Sequence, residues 1–293
     1  MYRILTDTSA NLNCSLLEQN GVAEIPFSFY VNEEEHRCLD VEGFDSRAFY
    51  DAMRQGAKVQ TSQVPPLLYE QTMRPILEKG QDVLFIGMSS GISGSFQSAW
   101  TASRQLQSEF PERKIRLVDT LGASLGEGLL VLQAARWQQE GVTLEESAAR
   151  LEALRGRMCQ VFTVEDLRYL RATGRLSNAK AAIGTILNIK PLLKGDPQGK
   201  IVSFARIHGR KGSIRALAEQ YDAYVREAES QTVGIAHADC PEEAACLARL
   251  LQRNHPPRDI LTVVYEPVTG SHVGPGTLAL FFLGDPAFRA AGR

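Results

Sequence analysis

The sequence predicts an α/β protein of two domains: a doubly wound, mainly parallel sheet in residues 1–157 and an α+β domain in residues 158–293. The first observation behind this is a set of short, β-rich, apolar runs at 2–5, 83–88 and 115–118. Such runs suit parallel strands, whose two faces are both covered. The second is that the last two runs each lead into a turn of small residues and then a stretch of helical period, over 94–110 and 125–140. Strand, glycine turn, helix, strand is the grammar of a doubly wound sheet. The third is a change of pattern beyond residue 157, where strands at 161–164, 201–204, 233–236 and 260–265 stand further apart and mix with turns.

The other elements are read from the same cues. In the 125–140 helix, Leu125, Leu129, Leu132, Ala135 and Trp137 fall near one face, the expected core side. Residues 23–31 read as one further strand, and EEEHRC at 33–38 as a polar hairpin. Thr143 ahead of Glu145 and Glu146 gives a capping-like start to a helix that runs to residue 157. Further helices are expected over 178–187, 211–229 and 241–254.

Bulk properties exclude several function classes. Apolar residues make up 44% of the 293 and charged residues 23%, a balance that buries a sizeable core. The net charge of −2 lacks the basic excess that nucleic-acid binding needs, although local basic clusters occur at 168–175 and 206–215. The first residues carry one Arg and then turn polar, so no secretory signal is expected. No run approaches the roughly 20 apolar residues of a membrane helix. Cys14, Cys38, Cys159, Cys240 and Cys246 are widely spaced without a C-x-x-C pair, which suits a reducing compartment and argues against a metal site. The expectation is a cytoplasmic protein.

Four segments carry chemistry. Gly87-Met-Ser-Ser-Gly-Ile-Ser-Gly-Ser-Phe96 succeeds an apolar strand and opens a helix. A helix N-terminus has unpaired N–H groups and a dipole that favours anions, glycine admits close approach, and serine adds donors. The segment is an anion site in outline, though neither a Walker loop nor a dinucleotide fingerprint. The plain alternative is a helix cap made by Ser93 or Ser95. Thr61-Ser-Gln-Val-Pro-Pro66 places two hydroxyls just ahead of a helix-starting proline pair, so the two corners could converge on one carboxylate. In Gly270-Ser-His-Val-Gly-Pro-Gly276, glycines around His272 imply unusual backbone angles, and a histidine at the mouth of an apolar pocket can donate to a carboxylate. Lastly, a helix expected to end at Gly174 presents Arg175, and Leu187, Ile189, Leu192 and Leu193 are either core or the lining of an apolar channel.

Taken in order, ILTDTSANL, TSQVPP, IGMSSGISGSFQSA, LVDT, LRYLRATGRLS, LNIKPLL, GKIVSFARIHGRKGSI and GSHVGPGTLALFF resemble the DegV family of fatty-acid-binding proteins over nearly the whole chain. The resemblance implies two α/β domains with a fatty acid such as palmitate in a tunnel between them. It implies that the carboxylate is held by Thr61, Ser62, Ser93 and Gly94, with His272 nearby. Ser90, Arg175 and His208 are further candidates. It also implies a partner, a fatty acid kinase that phosphorylates the bound acid to an acyl phosphate. No catalytic residue, metal or cofactor is expected in this chain, and a monomer is the default.

The sequence departs from the family pattern in three places. Ser95 stands where threonine is usual, and Val-Pro-Pro comes after Thr61-Ser-Gln in place of Pro-Ser. His208 stands where kinase-partnered members usually carry arginine, with Arg206 and Arg210 as substitutes. Two other readings compete. One is a serine hydrolase acting on an acyl ester through Ser90 or Ser93 with His272 and Asp7 or Asp119, against which the chain lacks a G-x-S-x-G elbow. The other is a binding module for a different anionic or isoprenoid-like lipid.

Overall fold

The structure, a computed structural model, describes residues 2–38, 43–177 and 188–290. The chain forms two compact units, one of Met1–Phe44 with Val59–Arg155 and one of Asp45–Lys58 with Gly156–Arg293. The helix expected over 178–187 lies outside the described residues, as does Leu187.

The first unit begins with β1 (Tyr2–Asp7), α1 (Cys14–Gln19), β2 (Val22–Ile25), β3 (Ser28–Val31) and β4 (Glu34–Arg37); α2 (Ser46–Arg54) belongs to the second unit. It resumes with β5 (Val59–Ser62), α3 (Pro66–Glu78), β6 (Asp82–Gly87), α4 (Ser95–Glu109), β7 (Ile115–Asp119), α5 (Leu125–Gln139) and α6 (Leu144–Arg155). Strands β2, β1, β6 and β7 lie side by side in that order, all parallel. Ile4, Leu5, Val83, Leu84, Phe85 and Ile86 are fully buried, as a sheet covered on both faces requires. The chain steps from β1 to one side for β2 and to the other for β6, so the order reverses between β1 and β6. In open α/β sheets, ligands bind outside the carboxyl ends of the strands at such a switch point.

Two expectations change here. The strand expected over 23–31 is two strands, because Pro26 cannot donate to a ladder. β2 joins the parallel sheet, whereas β3 joins a separate antiparallel sheet of order β4-β3-β5. The hairpin between β3 and β4 is present, turning through Asn32 and Glu33, both at positive φ. On α5 the expected Leu125 and Ala135 are fully buried together with Glu127, Leu130, Val131 and Ala134, while Leu129, Leu132 and Trp137 are half-buried. The buried face is shifted in part from the expected one, and Gly128 belongs to it, packed against the chain just past β1. A Cβ on Gly128 would stand 2.4 Å from the carbonyl oxygen of Ala10.

The second unit adds β8 (Met158–Thr163), α7 (Arg168–Ala172), β9 (Ile189–Gly195), β10 (Ile201–His208), α8 (Arg210–Tyr224), β11 (Thr232–His237), α9 (Pro241–Leu251), β12 (Asp259–Val264), α10 (Pro267–Val273), β13 (Leu278–Leu283) and α11 (Ala287–Ala290). Its sheet has the order β10-β9-β8-β13-β11-β12 and is antiparallel except for β11 and β12. Leu217 and Tyr221 of α8 and Leu247 and Leu251 of α9 pack against Val161, Ile235, Leu280 and Phe282 to make its core. The two units together are the α/β fold expected, a parallel sheet and a second sheet of mixed direction.

Gly128→Ala is expected to destabilise the protein by about 1–3 kcal/mol, the usual cost of overpacking. Gly156→Ala, where nothing lies within 4 Å of the added Cβ, serves as the control. Equal thermal unfolding midpoints for the two variants would contradict this packing.

Candidate functional site

The Ser/Gly segment leaves β6 at the switch point and turns back on itself before α4. Ser93 N–H donates to the Ser89 carbonyl at 3.1 Å, and Ser89 N–H to the Gly122 carbonyl at 2.8 Å. Neither Ser93 nor Ser95 is the cap residue: Gly94 occupies that position, and Ser95 is the first helical residue. Ser93 Oγ instead accepts from Ser95 N–H at 3.2 Å and lies 3.0 Å from Ser95 Oγ.

The Thr61 segment meets this loop. Thr61 and Ser62 end β5, and the turn after them brings Val64 N–H to Ser95 Oγ at 3.1 Å. Gln63 lies across Gly94 so closely that a Cβ on Gly94 would stand 2.0 Å from Gln63 Oε1. Thr61, Ser62 and Ser93 are half-buried and Gly94 is exposed. Two hydroxyl-bearing segments therefore converge at the start of a 15-residue helix, whose dipole favours an anion. Ser90 has a different role: its N–H and Oγ donate to the two oxygens of Asp119 at 3.2 and 2.6 Å.

Beneath the loop is a buried group of which the sequence reading named only Asp7, as a candidate hydrolase acid. Asp7, at the carboxyl end of β1, accepts from Met88 N–H at 3.2 Å through Oδ2 and from Ser9 N–H at 3.0 Å through Oδ1. Ser9 Oγ lies 2.5 Å from Asp7 Oδ1 and 2.7 Å from Glu127 Oε2, and Thr6 Oγ donates to Glu127 Oε1 at 2.9 Å. All four residues are fully buried. Burial pushes the Asp7 carboxyl up to about 6 against the pull of its hydrogen bonds. Burial first, and the charge of Asp7 second, hold Glu127 well above the usual carboxylate range. The N-terminus of α5 favours an anion at Glu127 by up to about 2 kcal/mol, whereas a second charge buried beside Asp7 costs several kcal/mol. The available signal was Glu127 itself, a charged residue one turn into a helix otherwise apolar on that side.

In the second unit, His272 is in the last turn of the short helix α10 and not in an open loop. The unusual backbone angles come after it, at Gly274 and Gly276 with φ of 82° and 76°. Gly270 serves close approach instead, since a Cβ there would stand 2.0 Å from Tyr50 Oη, which donates to the Tyr265 carbonyl at 2.8 Å. Burial, and then the Arg175 guanidinium, lower the His272 imidazole to about 4, so at neutral pH it is an uncharged donor. His208 is exposed at the end of β10, as is Arg206. Arg210 is committed elsewhere: it holds Glu243 at 3.0 and 3.1 Å and the Gly276 carbonyl at 2.6 Å. Burial pushes the Cys240 thiol up to about 12, which suits an inert thiol and not a nucleophile. No group of three or more metal-ligating side chains is assembled among the described residues.

Comparison with known proteins settles the family. The model of the family described as "Uncharacterised protein, DegV family" matches residues 1–285. This chain belongs to the DegV family. A DegV domain-containing protein of Clostridium perfringens is 35% identical to it, the match covering 97% of this chain and 98% of the relative. Protein DegV of Bacillus subtilis is 30% identical, with 94% and 97% covered. Among solved structures, a DegV family protein from Thermus thermophilus, described for its fatty acid binding, has a TM-score of 0.88 at 30% identity, covering 97% of this chain and 99% of that one. The Bacillus subtilis DegV structure, described as a fatty acid binding protein, has a TM-score of 0.84 at 29% identity, covering 97% and 99%. No helix among the described residues of this DegV protein is long and apolar enough to cross a membrane.

An imidazole lowered in the folded protein binds fewer protons there than in the unfolded chain between pH 4 and 6.5. Its contribution to stability is therefore present above 6.5 and lost as pH falls towards 4. An NMR titration of His272 in the ligand-free protein is expected to have its midpoint near pH 4, and His272→Gln is expected to flatten that part of the stability profile. A midpoint at the ordinary value of 6.5 would contradict the burial described.

Proposed function

We propose that this DegV protein binds a long-chain fatty acid such as palmitate, its carboxylate held by Thr61, Ser62, Ser93 and Gly94. The observation that carries the reading is the convergence of the Thr61 and Ser93 segments on the N-terminus of α4, at the switch point of the parallel sheet. The solved relatives described as fatty-acid-binding support the ligand class. A carboxylate there would receive charge-assisted hydrogen bonds, the strong kind. The tail supplies most of the affinity: at about 0.8 kcal/mol per methylene, a 16-carbon acid gains on the order of 10 kcal/mol before costs. His272 is proposed as a further donor, and as a neutral imidazole it would hydrogen-bond a carboxylate without a formal ion pair.

In this reading the protein is a cytoplasmic, monomeric carrier without chemistry of its own, presenting the acid to a separate fatty acid kinase. Exposed Arg206 beside His208 is the cation proposed to serve that partner in place of the family's arginine. The hydrolase alternative needs Ser90 or Ser93 hydrogen-bonded to the imidazole of His272 as general base. Ser90 is bonded to Asp119 and Ser93 to Ser95, which disfavours it.

Mass spectrometry of ligand extracted from the purified protein is expected to recover an intact fatty acid. Ser93→Ala is expected to weaken palmitate binding roughly ten- to a hundredfold, the worth of one hydrogen bond to a charged group, without lowering the unfolding midpoint. Palmitate-loaded protein is expected to support acyl-phosphate formation when mixed with ATP and a bacterial fatty acid kinase. An empty protein with esterase activity that disappears in Ser93→Ala would overturn the proposal.

A further inference from the structure

The buried acids under the Ser/Gly loop are not needed to touch a ligand, yet they sit where the loop leaves the sheet. The geometry fixes their protonation. Ser9 Oγ has one hydrogen and stands between two carboxyl oxygens, Asp7 Oδ1 at 2.5 Å and Glu127 Oε2 at 2.7 Å. One hydroxyl proton cannot serve both, so one carboxyl must bring a proton of its own. Leaving the shared Ser9 hydroxyl aside, Asp7 has a backbone N–H at each oxygen, Ser9 N–H at Oδ1 and Met88 N–H at Oδ2, whereas Glu127 receives one backbone N–H, from Asp7, and the Thr6 hydroxyl. Asp7 is the natural anion. Glu127 then carries the extra proton, and every bond has a direction: Thr6 Oγ–H to Glu127 Oε1, Glu127 Oε2–H to Ser9 Oγ, Ser9 Oγ–H to Asp7 Oδ1, and Met88 N–H to Asp7 Oδ2.

We infer that Glu127 is a positioning residue, a neutral carboxylic acid that works through Ser9 and Asp7 to hold the Met88–Ser95 loop in its anion-binding shape.

The surroundings agree. Asp7 comes from β1, Glu127 from α5 and the Met88 N–H from the end of β6. From α3 the fully buried Tyr69 points its hydroxyl into the same region, near enough that both carboxyls oppose its ionisation. Among the described residues no lysine or arginine pairs with Asp7 or Glu127, so no counter-ion offsets a second negative charge. A second charge would also lie directly beneath a loop proposed to hold a carboxylate. The consequence for affinity rests on the fatty-acid reading; the relay itself does not.

The test therefore uses the ligand-free full-length protein first. The Glu127 side-chain carbon, observed by carbon-13 NMR, is expected to report a protonated acid at pH 7, with Asp7 ionised. Amide hydrogen exchange of residues 88–95 is expected to quicken about tenfold or more in Glu127→Ala and Asp7→Asn, the loss of about one buried hydrogen bond. Asparagine cannot accept on both sides as Asp7 does. Glu127→Gln, whose amide can donate to Ser9 and accept from Thr6, is expected to restore wild-type protection. An ionised Glu127 at pH 7, or equal protection of the loop in the alanine and glutamine variants, would overturn the inference. Palmitate affinity is then measured on the same variants. If the wild type binds no fatty acid, the functional reading fails while the exchange data still decide the relay.

Discussion

The hydrogen bond from Met88 N–H to Asp7 joins β1 to β6 at the point where the strand order reverses. Both strands are completely buried there, so their ends can be tied only by groups the chain itself supplies. Asp7 meets that need for β6, and Ser9 and Glu127 meet it for Asp7. The Ser/Gly loop is consequently fixed at its root by buried groups and at its tip by the Val64 bond to Ser95. Rigidity of this kind matters for an anion site, since donors already in place need no reorganisation on binding.

The division of labour between head and tail comes from magnitudes. Each hydrogen bond to a charged head is worth about 1.5–3 kcal/mol, whereas a long alkyl chain gains several times that by leaving water. In the proposed reading the hydroxyl corners would therefore select a carboxylate and set its register more than they supply affinity.

The fold was legible where the pattern was strong. The runs at 83–88 and 115–118, each with its small-residue turn and helix, announced β6 and β7 because strands buried on both faces carry few polar residues. What escaped were effects of close approach. Gly128 brings α5 close to the Ala10 carbonyl, and Pro26 divides a run that looks continuous to any window of hydrophobicity. At the site, the ordered motifs pointed to Thr61, Ser62, Ser93 and Gly94, and the first unit brings those two segments together. Glu127 was overlooked because periodicity treats a charged residue as surface, even one turn into a helix apolar on that side. Only the coordinates of Ser9 and Asp7 show why it is inside.

The central claim is that the head of a fatty acid rests on the Thr61 and Ser93 corners. A crystal structure of the protein with bound palmitate tests it most directly. The account predicts a carboxylate oxygen within hydrogen-bond distance of Ser93 Oγ and of a hydroxyl of Thr61 or Ser62. A carboxylate seated elsewhere, with those hydroxyls bonded only to the protein, would contradict it.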